Sequence, residues 1–269
     1  MDQRFYGVTI GLVTSLDDPE EQGRIKLRFP WLADQADSGW APIASPMAGK
    51  DRGFYYMPEI DDEALVAFEF GDFNHPIVLG FLHNGLDTPP YDGIDRHVRR
   101  VKSVAGHVLE FDDRSGQESV RLRSDSGHQL ELHDPGGYVE VTTAGGQKIR
   151  MQDTPGQIEL STTTGTTVTI DDAPSQIQLR TVTGVSLTIS DVGGVSISAP
   201  AGAVSVNSLM SQVISAGAVS VIAPSVNVDT AMLRVNAAMA MFSGVVQCQT
   251  LLSSAVVSAM YTPGVGNLL

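Results

Sequence analysis

Apolar and polar residues alternate at every second position in short runs along most of this chain. From Gly106 to Ile197 that alternation is itself repeated, in a unit of about nineteen residues. Period-two alternation marks a β-strand with one face toward apolar surroundings. Glycines open the units at Gly106, Gly127, Gly146, Gly165 and Gly184, and the pairs Leu109/Phe111, Leu130/Leu132, Ile149/Met151, Val168/Ile170 and Leu187/Ile189 follow them. A second strand lies in each unit, with Val120/Leu122, Val139/Val141, Ile158/Leu160, Ile177/Leu179 and Val195/Ile197. Turn chemistry joins the two: Asp113 to Gly116, Asp134 to Gly137, Asp153 to Gly156, Asp172 to Ser175 and Asp191 to Gly194. Asp, Pro and Gly each favour turns, and fixed-period self-similarity is the signature of a repeat array.

Each strand offers only two apolar positions, with Glu, Arg, Lys, Gln, Thr or Ser between them. That stripe is too thin to close a barrel from one chain, and a unit of two strands is shorter than the three-strand coil of a single-chain β-helix. The pattern therefore predicts an intertwined trimer, in which three chains wrap one axis and each supplies one wall of a narrow β-prism. Its core is expected on Leu109, Phe111, Leu130, Leu132, Ile149, Met151, Ile158, Leu160, Val168, Ile170, Ile177, Leu179, Leu187 and Ile189. Roughly fourteen strands from Gly106 onward, about 4.8 Å apart, would make a shaft on the order of 65–70 Å long.

Ahead of the array, residues 5–85 predict a compact β-rich unit. Strands are expected at Tyr6–Ser15, Arg24–Phe29, Trp40–Ala44, Ala64–Phe70 and Pro76–Leu82, with Phe5, Phe29, Trp31, Trp40, Phe68, Phe70 and Phe81 as bulky core. Five short strands in about eighty residues suit a small barrel of the OB type. The acidic run Asp17–Gln22 reads as a tight hairpin, and Asn84-Gly85 as a turn.

The residues from Gly11 to Pro30 (GLVTSLDDPEEQGRIKLRFP) resemble the opening of the OB domain in baseplate assembly protein V of contractile-tailed phages and in the VgrG spikes of type VI secretion. Trp40, then Pro58 to Asp72 (PEIDDEALVAFEFGD), then Pro76 to Gly85 (PIVLGFLHNG) resemble the rest of that domain in order and spacing. Asp61 stands where a glycine is usual in the family. The resemblance covers about 80 residues closely, and a repeat shaft behind the OB unit is also what those families carry. The expected organisation is all-β: an OB-fold domain over 1–85, a linker over 86–105, a repeat shaft with a charged exterior over 106–200, and a thin Ala/Ser/Val-rich shaft over 201–269.

Pro89-Pro90 and Asp92-Gly93 mark the linker, and the basic run Arg96–Lys102 after it is expected to cross the top of the trimer and meet acids of neighbouring chains or of a hub protein. Beyond Gly184 the only charged residues are Asp191, Asp229 and Arg234, and Ala201–Val206 recurs as Ala216–Val221, so small side chains would allow a tighter shaft. The terminus from Met260 to Leu269 carries no charge. Three copies of its Leu268-Leu269 pair would form an apolar end face, with Tyr261 and Pro263 beside it. The resembling families cap their shafts with a small PAAR-type tip protein, which makes this end the expected docking platform. They also imply a hub, which this chain is too short to include and which a separate protein would provide.

Composition narrows the chemistry. The chain has 269 residues and a net charge of -14, which argues against nucleic acid as the main partner. The single cysteine, Cys248, allows no internal disulfide and is expected to be a buried, inert thiol. The start has no basic-then-apolar stretch, so no signal peptide is expected, and the Ala/Val/Met-rich segment 231–260 is too interrupted to span a membrane. Acid pairs at Asp61-Asp62-Glu63, Asp112-Asp113 and Asp171-Asp172 fall in turns and repeat with the array, which reads as architecture before catalysis. The histidines His75, His83, His97, His107, His128 and His133 form no metal-binding pair. No catalytic residue, cofactor site or metal site is expected.

The resemblance implies a mechanical function: the homotrimeric central spike of a contractile tail or injection particle, driven through a target cell envelope and assembled in the bacterial cytoplasm. The alternative is a β-helix protein that binds or degrades envelope polysaccharide. Between residues 112 and 241 the only aromatic is Tyr138, which disfavours sugar stacking. An OB unit for single-stranded nucleic acid would need a basic groove with stacking rings, and this one is acidic.

Overall fold

The structure is a computed structural model that describes residues 4–32, 37–91, 95–250, 252–255 and 257. The described secondary structure is β except for one 3-10 turn, Glu69–Gly71. No helix among the described residues is long and apolar enough to cross a membrane. Two compact units divide the chain, 1–206 and 207–269.

At the front, β1 (Val8–Ser15), β2 (Lys26–Arg28), β5 (Glu63–Phe68) and β6 (Pro76–Phe81) form an antiparallel sheet in the order β2-β1-β5-β6. Val13, Leu27, Ala64, Val66 and Val78 point inward and are fully buried with Ile25, Phe29 and Ala41. The segment expected as a strand at Trp40–Ala44 makes isolated bridges and no continuous ladder, Ile25 with Ala41 on the β2 side and Ile43 with Val78 on β6, so it links the two edges of this sheet. A small hairpin of β3 (Ala48–Gly49) and β4 (Arg52–Gly53) stands apart.

The aromatic core differs from the expected one. Phe5, Phe29, Trp31, Phe68 and Phe73 pack with ring centroids 5.1 to 6.4 Å apart. Phe70 is exposed instead of buried: the chain turns there at φ 50, which ends β5 and throws the ring outward. Phe81 and Trp31 are also partly exposed. Asp61, where the resembling family has glycine, sits at φ 73, the left-handed conformation glycine adopts without steric cost.

The acidic hairpin is organised by a side chain. The Asp18 carboxylate accepts the backbone N–H groups of Glu20, Gln22 and Arg24 and two guanidinium bonds from Arg24, at 3.0 and 2.7 Å. That guanidinium, with the backbone donors, holds the carboxyl well below the usual range.

The second sheet is a single meander of 11 strands in which every strand pairs antiparallel with its neighbours in sequence. They are β7 (Val98–Lys102), β8 (Val108–Asp112), β9 (Ser119–Arg123), β10 (Gln129–His133), β11 (Tyr138–Thr142) and β12 (Lys148–Gln152), then β13 (Gln157–Ser161), β14 (Thr167–Asp171), β15 (Gln176–Arg180), β16 (Ser186–Ser190) and β17 (Gly194–Ser198). At about 4.8 Å per strand the stack is roughly 48 Å long. It starts earlier than Gly106, because β7 lies within the segment read as linker. The basic run pairs inside its own chain: Arg99 with Asp113 and Arg100 with Glu110.

Turns on one side of this sheet follow a Ser/Thr-x-x-Gly rule. The hydroxyls of Ser103, Ser124, Thr143, Thr162 and Thr181 each accept the backbone N–H four residues on, at 3.0 to 3.2 Å. The glycine closes the turn at positive φ, 85 at Gly146 for example, where a Cβ would also lie 2.8 Å from Thr163 Cγ2. Past Ser198 the described residues form no strand, so the strands expected there, and the count of fourteen, have no counterpart within the single chain. Cys248, expected to be buried, is exposed.

Candidate functional site: the two faces of the long sheet

A five-residue strand sends its second and fourth side chains to one face and the other three to the opposite face. Because the meander keeps register throughout, like positions line up into columns. One apolar column runs Val101, Leu109, Leu122, Leu130, Val141, Ile149, Leu160, Val168, Leu179, Leu187, Ile197. Its companion, after Arg99, runs Phe111, Val120, Leu132, Val139, Met151, Ile158, Ile170, Ile177, Ile189, Val195. All fourteen residues expected in the trimer core fall in these two columns, and Val101 is an addition supplied by β7.

In the single chain this apolar face has no cover. Leu132 is 41% exposed, and most of its column neighbours are comparable.

The opposite face is the better covered of the two. Its central column reads Arg100, Glu110, Arg121, Glu131, Glu140, Arg150, Glu159, Thr169, Gln178, Thr188, Ser196. Opposite charges alternate across the strands except where Glu131 faces Glu140: Arg121 reaches Glu131 at 2.8 Å and Glu110 at 3.4 Å, and Arg150 reaches Glu140 at 3.4 Å. The long Arg stems cover the shorter acids, so Glu131 is only 8% exposed. The bond to Glu131 raises the Arg121 pKa further, despite desolvation.

Asp112, at the end of β8, is buried and bonded to Arg114 through its side chain and backbone N–H. The Arg114 guanidinium lowers its pKa to about 2. Tyr138 lies flat between His133, ring centroids 4.8 Å apart, and the Arg150 guanidinium at 3.9 Å, so neither of its faces is open to a sugar ring.

Five of the six histidines are exposed and His133 is half-buried. His107 and His128 use Nδ1 to accept the backbone N–H of Asp125 and Ala144, one turn along the same edge of the sheet. Among the described residues no group of three or more His, Cys, Asp or Glu is placed to hold a metal ion. Tyr261, Pro263, Leu268 and Leu269, the expected tip-docking residues, lie outside the described residues.

Residues 9–83 match the type VI secretion system/phage-baseplate injector OB domain. Among similar proteins are the type VI secretion system spike protein VgrG2a of Pseudomonas aeruginosa, 32% identical over 118 residues, and spike protein VgrG3 of Vibrio cholerae, 30% identical over 112. Another is the V. cholerae protein named actin cross-linking toxin VgrG1, 30% identical over 115 residues. These matches cover 40%, 38% and 39% of this chain, which spans only 14%, 11% and 10% of the relatives' lengths. The front sheet is thus an injector-type OB domain, and the chain is similar to VgrG-type spike and baseplate proteins.

Proposed function

We propose that this chain is the central spike of a contractile injection machine, working as a homotrimer that is pushed through a target cell envelope when the machine contracts. The observation that carries the reading is the pair of apolar columns, one along all eleven strands and its companion along ten, left bare by the chain itself. Three copies turned inward around one axis would cover them, with Leu109, Phe111, Leu130, Leu132 and the residues in line with them meeting their equivalents. The charged column would then face outward, with most of its ions, from Arg100 to Arg150, already paired within each wall, which limits sideways association of spikes.

A hub protein on the OB side and a PAAR-type tip protein on the uncharged carboxyl end, through Tyr261, Pro263, Leu268 and Leu269, complete the proposed assembly. It would sit in a phage tail baseplate or a phage-derived particle. Light scattering and native mass spectrometry test the core of the proposal: a mass of about three times 28.6 kDa is expected, and a stable folded monomer overturns it. Deleting residues 261–269 tests the tip. The truncated protein should remain a trimer and lose its tip partner in a pull-down; retention of the partner refutes the docking role.

A further inference from the structure

The two edges of the long sheet differ in charge. One is made by the turns after β7, β9, β11, β13 and β15, and the strand ends beside them hold Lys102, Arg123, Lys148 and Arg180. Asp125 is the one acid there. The other edge is made by the turns after β8, β10, β12, β14 and β16 and carries Glu118, Asp134, Asp153, Asp171, Asp172 and Asp191. Its one cation, Arg114, is taken by Asp112, and Asp113 pairs with Arg99. Lys148 reaches Glu140 at 3.7 Å. Lys102, Arg123 and Arg180 are exposed and, among the described residues, meet no acid of their own chain, and Asp134, Asp153, Asp172 and Asp191 are exposed and meet no cation.

The charges also match in height along the stack. β9, β12 and β15 each have a cation at one end and an acid beyond the other: Arg123 with Glu118, Lys148 with Asp153, and Arg180 with Asp172. The two members of each pair are level to within about 4.8 Å, one strand spacing.

We infer that neighbouring chains recognise one another edge to edge, the Lys/Arg edge of one against the Asp/Glu edge of the next, with equivalent strands level. The inference rests on the three-chain reading above. Both halves of the match lie on one chain, which makes a second copy the partner. Around a threefold axis each junction is heterologous, so unlike edges meet at every one and the ring closes. A neighbour turned end for end, its apolar face still inward, would set acid against acid and base against base. Exposed ion pairs add little to stability one at a time; these edges act by making the wrong orientation costly.

Two variants of the full chain test this by reversing one edge each: Arg123→Glu with Arg180→Glu, and Glu118→Lys with Asp172→Lys. A third carries all four changes. In native mass spectrometry across a dilution series at low ionic strength, each one-edge variant is expected to dissociate at a concentration about tenfold above the parent's, a difference that shrinks in high salt. The combined variant should return to within about threefold of the parent, because every junction again joins unlike charges. Glu118 also accepts the Gly116 N–H at 2.8 Å, but the combined variant shares that loss, so neither it nor a folding defect in a one-edge variant can produce the recovery. One-edge variants that associate like a trimeric parent, or a combined variant that does no better than they do, overturn the inference. A monomeric parent refutes the three-chain reading, and this inference with it.

Discussion

Leu132 is the third residue of its apolar column, between Val120 on β9 and Val139 on β11. Full burial of a leucine side chain is worth about 1.5–3 kcal/mol, so covering the 41% still exposed in the single chain is worth roughly 1 kcal/mol per chain. Leu132→Ala removes most of that at three equivalent positions, about 3 kcal/mol in all, or on the order of a hundredfold in the trimer association constant. Leu132→Asp does more. An unpaired carboxylate taken out of water costs several kcal/mol per chain, and three of them would meet near the axis. Native mass spectrometry across a dilution series should show the Ala variant dissociating at higher concentrations than the parent and the Asp variant forming no trimer at any of them. An Asp variant that remains trimeric at the parent's concentrations would show that this face is not the one the chains share.

On the opposite face, Arg121→Ala leaves Glu131, almost fully covered, without its 2.8 Å partner. A loss of about 1–2 kcal/mol is expected from the urea midpoint, against near-zero for Arg180→Ala, whose side chain is exposed. Asp112 has its folded pKa lowered to about 2 from 3.8. Its contribution is therefore present above pH 3.8 and lost as pH falls toward 2, and Asp112→Asn should flatten that part of the stability profile. Gly146→Ala must accept φ 85 and a contact 2.8 Å from Thr163, whereas at Gly184 the nearest atom is 4.0 Å away. Thermal melting should show Gly146→Ala destabilised by more than the roughly 1–2 kcal/mol of the backbone term that both share.

The long sheet was legible because its signal is periodic: glycines, Asp turns and apolar pairs return together, and the register they imply is the one observed. The same repetition contained the Ser/Thr-x-x-Gly rule, where glycine drew attention and the hydroxyl four residues before the closing N–H did not. β7 escaped because Arg99 and Arg100 disguise a strand whose charges are matched only across the ladder, by Asp113 and Glu110. Phe70 shows the limit of reading a core from residue type. The alternation of β5 predicts burial at its end, but the backbone leaves the strand at Glu69, and no local pattern records that. Glu131 reads as a solvated charge in sequence, and only the neighbouring Arg stem reveals that it is covered. Past Ser198 small residues alternate as in a strand, yet the described residues there form none.

The unbroken sequence of neighbour-to-neighbour pairings in the long sheet gives it a directional mechanics. If load runs along the stack, the ladders lie in series and carry the same tension, so the weakest opens first and releases one hairpin while the covalent turns keep the ribbon connected. Pushing loads all the ladders together and opens none. A sheet paired in this way is a better strut than a rope.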